Sequence, residues 1–403
     1  MIAVAGGDVV VADHVVTEAT VIVDGDRIAV VERTFSEGPA GATMIDARGC
    51  HVVPGFIDVH VHGVRGHDVL DDGAPVAWLA SSLPAFGVTA FCPTSVACTP
   101  QVLSAFLKQV NRARTGGTEG ARVLPAHLES NFVNPDFAGA QPLDCLRLPP
   151  ASAPLPGGRP SGSAAAAFST HDILAVMAAH RDDIAIVTVA PELPGGLELV
   201  RALTAAGHCV SLGHSGADYD TALEAVEAGA RHATHLFNRM PPVSHRSPGL
   251  AGAMLDSPRV AVELIADGVH VHPAVCRMAI AAKGTGRVMA ISDGTAAAGL
   301  PVGATASLGG RRIHARRHAA ELDDGTLAGS VATMDRIFAT LVTRCGVAMS
   351  DAAAMCALTP ARQLGLVGHG VIAEGAVADL VVLGPDFDIR HTIVAGRVVY
   401  SRS

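Results

Sequence analysis

The sequence predicts an α/β protein: a parallel (β/α)8 TIM-like barrel carrying a small β-sandwich domain formed by the N- and C-terminal segments. Three observations predict it. From His51 onward, short apolar strands alternate with helical stretches of ten or more residues, the rhythm of a parallel sheet. Eight such strand candidates occur, the number that closes a barrel. Both chain ends instead carry short strands rich in Val, Ile and Thr, separated by turns.

Residues 1 to about 53 give strands at Asp8–Ala12, Ala19–Val23, Arg27–Val31 and Thr43–Asp46, with Asp24-Gly25-Asp26 as a hairpin signal. The barrel strands are read at Gly55–His60, Ala90–Pro93, Val123–Glu129, Ile184–Ala190, Cys209–His214, His232–Phe237, Val262–Ile265 and Val288–Asp293. Helices fall between them. Asp218–Gly229 is typical: Asp218 caps, Leu223, Val226 and Ala230 recur at helical spacing, and Gly229 stands near the stop. Two segments break the rhythm. Residues 149–167 are rich in Pro, Gly, Ser and Ala and read as a mobile loop. Residues 303–326 read as a small β insertion, with Arg and His crowded into RRIHARRH. Strands return at Leu380–Leu383, Ile389–Val394 and Arg397–Ser401. The expected domains are therefore 1–53 with 361–403 for the β-sandwich, and 54–360 for the barrel.

Composition narrows the function. Of 403 residues, 49% are hydrophobic and 17% charged, so a large core can form and disorder is not expected. The net charge of −9, without a strongly basic run, argues against a nucleic-acid partner. Eight cysteines stand singly, with no C-x-x-C pair, as in a reduced cytoplasmic chain. No secretory leader pattern occurs, and no apolar run reaches the ~18 residues that would span a membrane. The 19 histidines are the oddity. His314, His318 and His369 read as surface groups, whereas others end apolar runs.

His60 and His62 form an H-x-H at the end of the first barrel strand, and residues two apart on a strand share a face. Alone, such a pair often means only two strand histidines facing a polar cleft. However, Glu129, His214, His235 and Asp293 also end apolar strands, and in a parallel barrel all these ends open onto one face. One ionisable group there can be a satisfied core residue; six at equivalent positions are too costly to bury without pairing or a metal. Imidazole and carboxylate donors suit Zn²⁺ or Fe²⁺. Such an open centre lowers the pKa of water toward ~7, and Asp293 can carry that proton to a leaving amine. The chemistry expected is hydrolysis of an amide or a similar bond.

The stretches PGFIDVHVHG, HLESNFVNPDFAGAQ, VTVAPE, SLGHSGADY, THLFN-x-MPP, RSPGLAGA, IADGVHVHP, ISDGTAAAG and DGTLAGS follow one another as in N-acetylglucosamine-6-phosphate deacetylases. The chain resembles that family over essentially its whole length. The resemblance implies Glu129, His214 and His235 as ligands of a principal metal, and a second metal at His60 and His62. The cofactor is thus Zn or Fe, one or two ions per subunit. Asp293 matches the family's general acid/base, and Gln141 the position that helps polarise the acetyl carbonyl. Asn238 (with the backbone after it, at Arg239), Arg246 and His270 fall at sugar-phosphate contacts, Ala140 lends main chain beside the sugar, and Leu327 and Gly329 lie on a loop covering it; the Arg239 side chain either adds an anion contact or points away. The implied partners are an N-acetylated amino-sugar phosphate and a second copy of the chain, with Arg246 reaching the neighbouring site of a homodimer.

Three departures stand out: Ser130-Asn131 where the family has Gly-Pro, Arg239 where it has Ala, and the long 149–167 segment. Another amidohydrolase, acting on a different N-acyl sugar, an N-acyl amino acid or a cyclic amide, would share the same metal centre. A silent metal-binding or sugar-sensing protein is disfavoured because every catalytic position is filled, Asp293 included.

Overall fold

A computed structural model describes residues 1–117, 119–150 and 167–402. Most of the 149–167 segment, residues 151–166, lies outside the described residues. The central sheet runs, in hydrogen-bonded order, Phe56–Val61, Val88–Ser95, Ala126–Leu128, Ile184–Val189, Cys209–Leu212, His232–Ala233, Ala261–Leu264 and Val288–Ala290. Every pairing along it is parallel. Backbone bonds from Asp293 N to His60 O (3.0 Å) and from His62 N to Gly294 O (2.8 Å) join the last strand to the first. The barrel therefore closes at the level of its metal-ligand candidates.

Several strands stop earlier than their apolar runs suggest. Regular structure ends at Leu212, Ala233 and Ala290, not at His214, Phe237 and Asp293. The cause is backbone handedness: His214 (φ 46), His235 (φ 29) and Asp293 (φ 47) sit in left-handed conformations that bend the chain off the sheet. The third strand is split into Arg122–Val123 and Ala126–Leu128, because Pro125 has no N–H for the ladder. The helix after the fifth strand spans Tyr219–Ala228; Asp218 caps it through Thr221 N (2.8 Å), and Gly229 ends it at φ 126.

The terminal strands form one eight-stranded sheet around a second apolar core that includes Val4, Val21, Ile45, Val52, Leu380 and Ile393. Thr43–Asp46, Leu380–Leu383, Ile389–Val394 and Arg397–Ser401 fall where the sequence puts them. The first strand does not: it is Ile2–Val10 rather than Asp8–Ala12. Gly6 (φ 77) and Gly7 let it continue through two register shifts, and a Cβ on Gly7 would lie 2.8 Å from Val52. The 303–326 insertion is a three-stranded antiparallel sheet, Thr305–Leu308, Arg311–Ala315 and Ala320–Leu322. Of the three histidines read as surface groups, His318 is exposed, but His314 and His369 are half-buried, the latter with its Nδ1 bonded to Asp379 at 3.1 Å. Among the described residues no helix is long and apolar enough to cross a membrane.

Candidate metal centre and substrate cavity

The strand ends surround a cavity of about 460 Å³. At its floor, His60, His62, Glu129, His214 and His235 fall into two overlapping clusters of donor atoms, His60–His62–Glu129 and Glu129–His214–His235. Glu129 is common to both. Its Oε1 lies 2.7 Å from His214 Nε2 and 2.8 Å from His235 Nε2. On the other side, His62 Nε2 stands 3.6 Å and His60 Nε2 3.8 Å from its oxygens. Asp293 Oδ1 completes the ring, 3.3 Å from His60 Nε2 and 3.2 Å from His62 Nε2.

The outer nitrogens explain why three of the four Nε2 atoms face inward. His62 Nδ1 donates to Thr94 O (2.9 Å) and His214 Nδ1 to Phe137 O (2.9 Å), while His60 Nδ1 donates to Glu263 Oε2 (2.9 Å). Carbonyl and carboxylate oxygens only accept, so each of these Nδ1 atoms holds a proton and leaves its Nε2 as the atom that would meet a cation. The facing nitrogens approach to 3.2 Å in the His60–His62 pair and 3.0 Å in the His214–His235 pair. Converging lone pairs beside two carboxylates are the donor set a divalent cation takes.

The charge balance agrees. Burial disfavours charge on His62 and His235, yet the neighbouring Asp293 and Glu129 carboxylates hold both rings up at about 9. Burial likewise opposes ionised Glu129 and Asp293, but the surrounding imidazoles outweigh it and keep both below the usual carboxylate range. The centre is built for positive charge, and a divalent ion on these donors fits it.

Backbone strain gathers at the same place. Among the described residues, nine other than glycine have positive φ, and five of them, His214, His235, Phe237, Arg239 and Asp293, line this cavity. Such conformations cost about 1–3 kcal/mol each and persist where the surroundings fix them. Gly329 (φ 60) belongs to the same packing: a Cβ there would lie 2.7 Å from Asp293 O.

The remaining sequence-read residues divide. Ala140, Gln141, Asn238, Arg239, His270, Leu327 and Gly329 all line the cavity. Arg246 does not; it is exposed, on the stretch before the Gly249–Asp256 helix. Gln141 is turned to the floor: its Nε2 donates to Glu129 Oε2 at 2.5 Å, and its Oε1 accepts from Ala97 N at 2.7 Å. Asn238 Nδ2 donates back to His235 O (3.2 Å), and His270 Nδ1 pairs with Asp267 at 2.7 Å. Burial works against a charged His270, but Asp267 prevails and raises its pKa. Arg239, among the described residues, brings the only guanidinium to the cavity lining, packed over Gly139.

Two departures from the family pattern prove to be internal. Ser130 Oγ donates to Thr188 O (2.5 Å), and Asn131 Nδ2 to Cys98 O and Cys145 O (both 2.8 Å). Both side chains are buried and neither lines the cavity. Sequence reading passed over three residues beneath the floor: His127, His232 and Glu263, all fully buried. A signal was present for Glu263, a lone carboxylate inside the apolar run Ala261–Ile265.

The Amidohydrolase family profile matches residues 197–399. N-acetylglucosamine-6-phosphate deacetylase of Bos taurus is 38% identical over 391 residues, covering 94% of this chain and 90% of the relative. The chain belongs to this family. The Bacillus subtilis (strain 168) deacetylase is 31% identical, with 97% and 95% covered. The deacetylase of Mycobacterium smegmatis, solved as a mutant with N-acetyl-D-glucosamine-6-phosphate, superposes with a TM-score of 0.85 at 31% identity over 99% of each chain. An enamidase, at 16% identity and a TM-score of 0.62, shares the amidohydrolase fold alone. Membership accounts for the ordered motifs, and the family's metal dependence matches the donor clusters at the barrel mouth.

Proposed function

We propose that this chain hydrolyses the N-acetyl group of N-acetylglucosamine-6-phosphate, giving glucosamine-6-phosphate and acetate. The observation that carries the reading is the convergence of four imidazole Nε2 atoms around Glu129 at the floor of one cavity, with Asp293 beside two of them. His60, His62, Glu129, His214 and His235 would hold one or two Zn²⁺ or Fe²⁺ ions. Bound there, the metal supplies Lewis acidity and lowers the pKa of water.

The chain's own groups do the rest. Asp293, kept ionised by His60, His62 and His235, accepts a proton from the attacking water at Oδ1 and returns it to the amine nitrogen as the C–N bond breaks. Gln141 lines the cavity and braces Glu129 through its Nε2, with its own Oε1 held by Ala97 N. Leu327 and Gly329 wall the cavity beside Asp293 and limit access of bulk water. Asn238, Ala140 and His270 position the sugar, and Arg239 sets a cation at the rim. Arg246 completes phosphate binding from the second subunit of a cytoplasmic homodimer; its exposure, and its place outside the lining of its own chain's cavity, favour that role.

Metal-loaded protein incubated with N-acetylglucosamine-6-phosphate should release acetate in equal amount to free amine. No acetate, with turnover of an unphosphorylated N-acyl compound, would overturn the substrate assignment. Arg239 favours one second reading, a related N-acyl substrate with a different anionic group such as an N-acyl amino acid, which the same assay separates.

A further inference from the structure

Beneath the metal-ligand candidates, Glu263 lies on the seventh barrel strand with no exposed surface. An ionised carboxylate in that position is retained only where donors surround it. Its Oε2 accepts from His60 Nδ1 (2.9 Å) and from the backbone N of His235 (3.1 Å). Its Oε1 accepts from His232 Nε2 (2.9 Å), with His127 Nδ1 at 3.6 Å. One carboxylate therefore touches a ligand candidate from each of the two donor clusters. Among the described residues no other is bonded in this way to both His60 and the strained turn at His235, and His235 Nδ1 has no partner there.

We infer that Glu263 is a positioning residue of the metal centre: it fixes the proton of His60 on Nδ1, aims His60 Nε2 into the His60–His62 half-site, and pins the His235 turn beside it. The half-sites differ in their dependence on it. His62 and His214 are held by the carbonyls of Thr94 and Phe137, and the His235 ring is placed by its left-handed backbone as well as by Glu263. His60 has no other bond at Nδ1 among the described residues. Removing the acceptor frees the ring to rotate or to carry its proton on Nε2, where a cation cannot bind. The inference rests on the metal-centre reading above, and it names Glu263 as the reason that the His60–His62 half can hold an ion.

The test is Glu263→Leu in the full chain, which removes the acceptor, with cadmium titration, metal analysis and ¹¹³Cd NMR as readouts independent of turnover. Wild-type protein should bind two ions and show two ¹¹³Cd signals. E263L should keep the Glu129–His214–His235 signal and weaken the other site roughly ten- to hundredfold. Histidine side-chain ¹⁵N shifts should show His60 protonated on Nδ1 in the wild type and not in E263L. Thr188→Val is the control, since it disturbs the same buried layer through His127 Nε2 (2.9 Å) without touching Glu263, and should keep both signals. E263D, which preserves the charge and withdraws the carboxylate by one methylene, serves where E263L does not fold. Unchanged affinity at both sites and an unchanged His60 tautomer in E263L would overturn the inference, as would equal loss at both sites in E263L and T188V. A wild-type protein that binds a single ion sinks the two-ion reading instead, and the His60 tautomer then decides the role of Glu263 by itself.

Discussion

At the floor of the cavity, His60, His62, Glu129, His214, His235 and Asp293 are each 6% exposed or less, and most are tied by a second contact behind them. Along the rim, Leu327 and Arg239 face solvent, and Arg246 stands outside the cavity altogether. The proposed hydrolytic half of the site thus lies within one chain, on strand ends fixed by the barrel. The recognition half hangs on loops, and one of its expected members is absent from it. The difference separates what the barrel dictates from what a loop or a partner subunit must supply.

The largest effect expected is from the floor. Removing divalent metal with a chelator should abolish acetate release, and Zn²⁺ or Fe²⁺ should restore it. Binding to the folded chain alone also adds stability by mass action, about 4 kcal/mol at a thousandfold excess over the dissociation constant. Thermal unfolding with and without added metal measures it. Full turnover in chelated protein would break the claim that the floor is a metal centre.

Next is Asp293→Asn. Loss of a positioned general acid–base group costs about 10²- to 10⁴-fold in kcat. KM and bound metal should change little, because the floor ligands and the wall remain. Steady-state kinetics with metal analysis checks this, and a kcat within a factor of a few of wild type would remove Asp293 from its role.

The same contrast governs what the sequence made legible. The floor was readable because each ligand candidate ends an apolar strand, and closure of a parallel barrel brings strand ends together whatever the loops do. Even so, the strands were read too long at His214, His235 and Asp293. Apolar pattern carries no sign of a left-handed φ, and that turn is what aims these side chains. Ser130 and Asn131 looked like changes to the pocket, but their side chains satisfy backbone carbonyls inside the protein. Sequence position near a ligand does not fix direction. Glu263 was visible as a charge in an apolar run but had no partner assigned, since His60 lies 203 residues away and only the closed barrel joins them. Arg246 is the reverse case: its chemistry is legible and its placement within one chain does not use it.

Arg246→Ala sharpens the rim. A charge-assisted bond to phosphate contributes about 1.5–3 kcal/mol, so kcat/KM should fall roughly one to two orders of magnitude. The loss should sit in KM. Mixing R246A with D293N subunits should recover activity in hybrid dimers, where an intact Asp293 meets the partner's arginine. Failure to recover would return Arg246 to its own chain's surface and leave the cavity without it.

Arg239→Ala should give the smallest effect. The side chain is exposed, so water and salt screen its charge, and a rise of about tenfold or less in KM is expected. Alanine adopts φ 53 with the same strain as arginine, so the unfolding midpoint should stay where it is. The informative measurement is the ratio between substrates. If Arg239 reads an anion, R239A raises KM for the 6-phosphate and leaves unphosphorylated N-acetylglucosamine unchanged. If both change together, Arg239 acts by shape, stacked over Gly139 and narrowing the rim. In that case the single-chain cavity offers the phosphate no permanent cation, and Arg246 of the proposed partner subunit becomes the remaining guanidinium candidate.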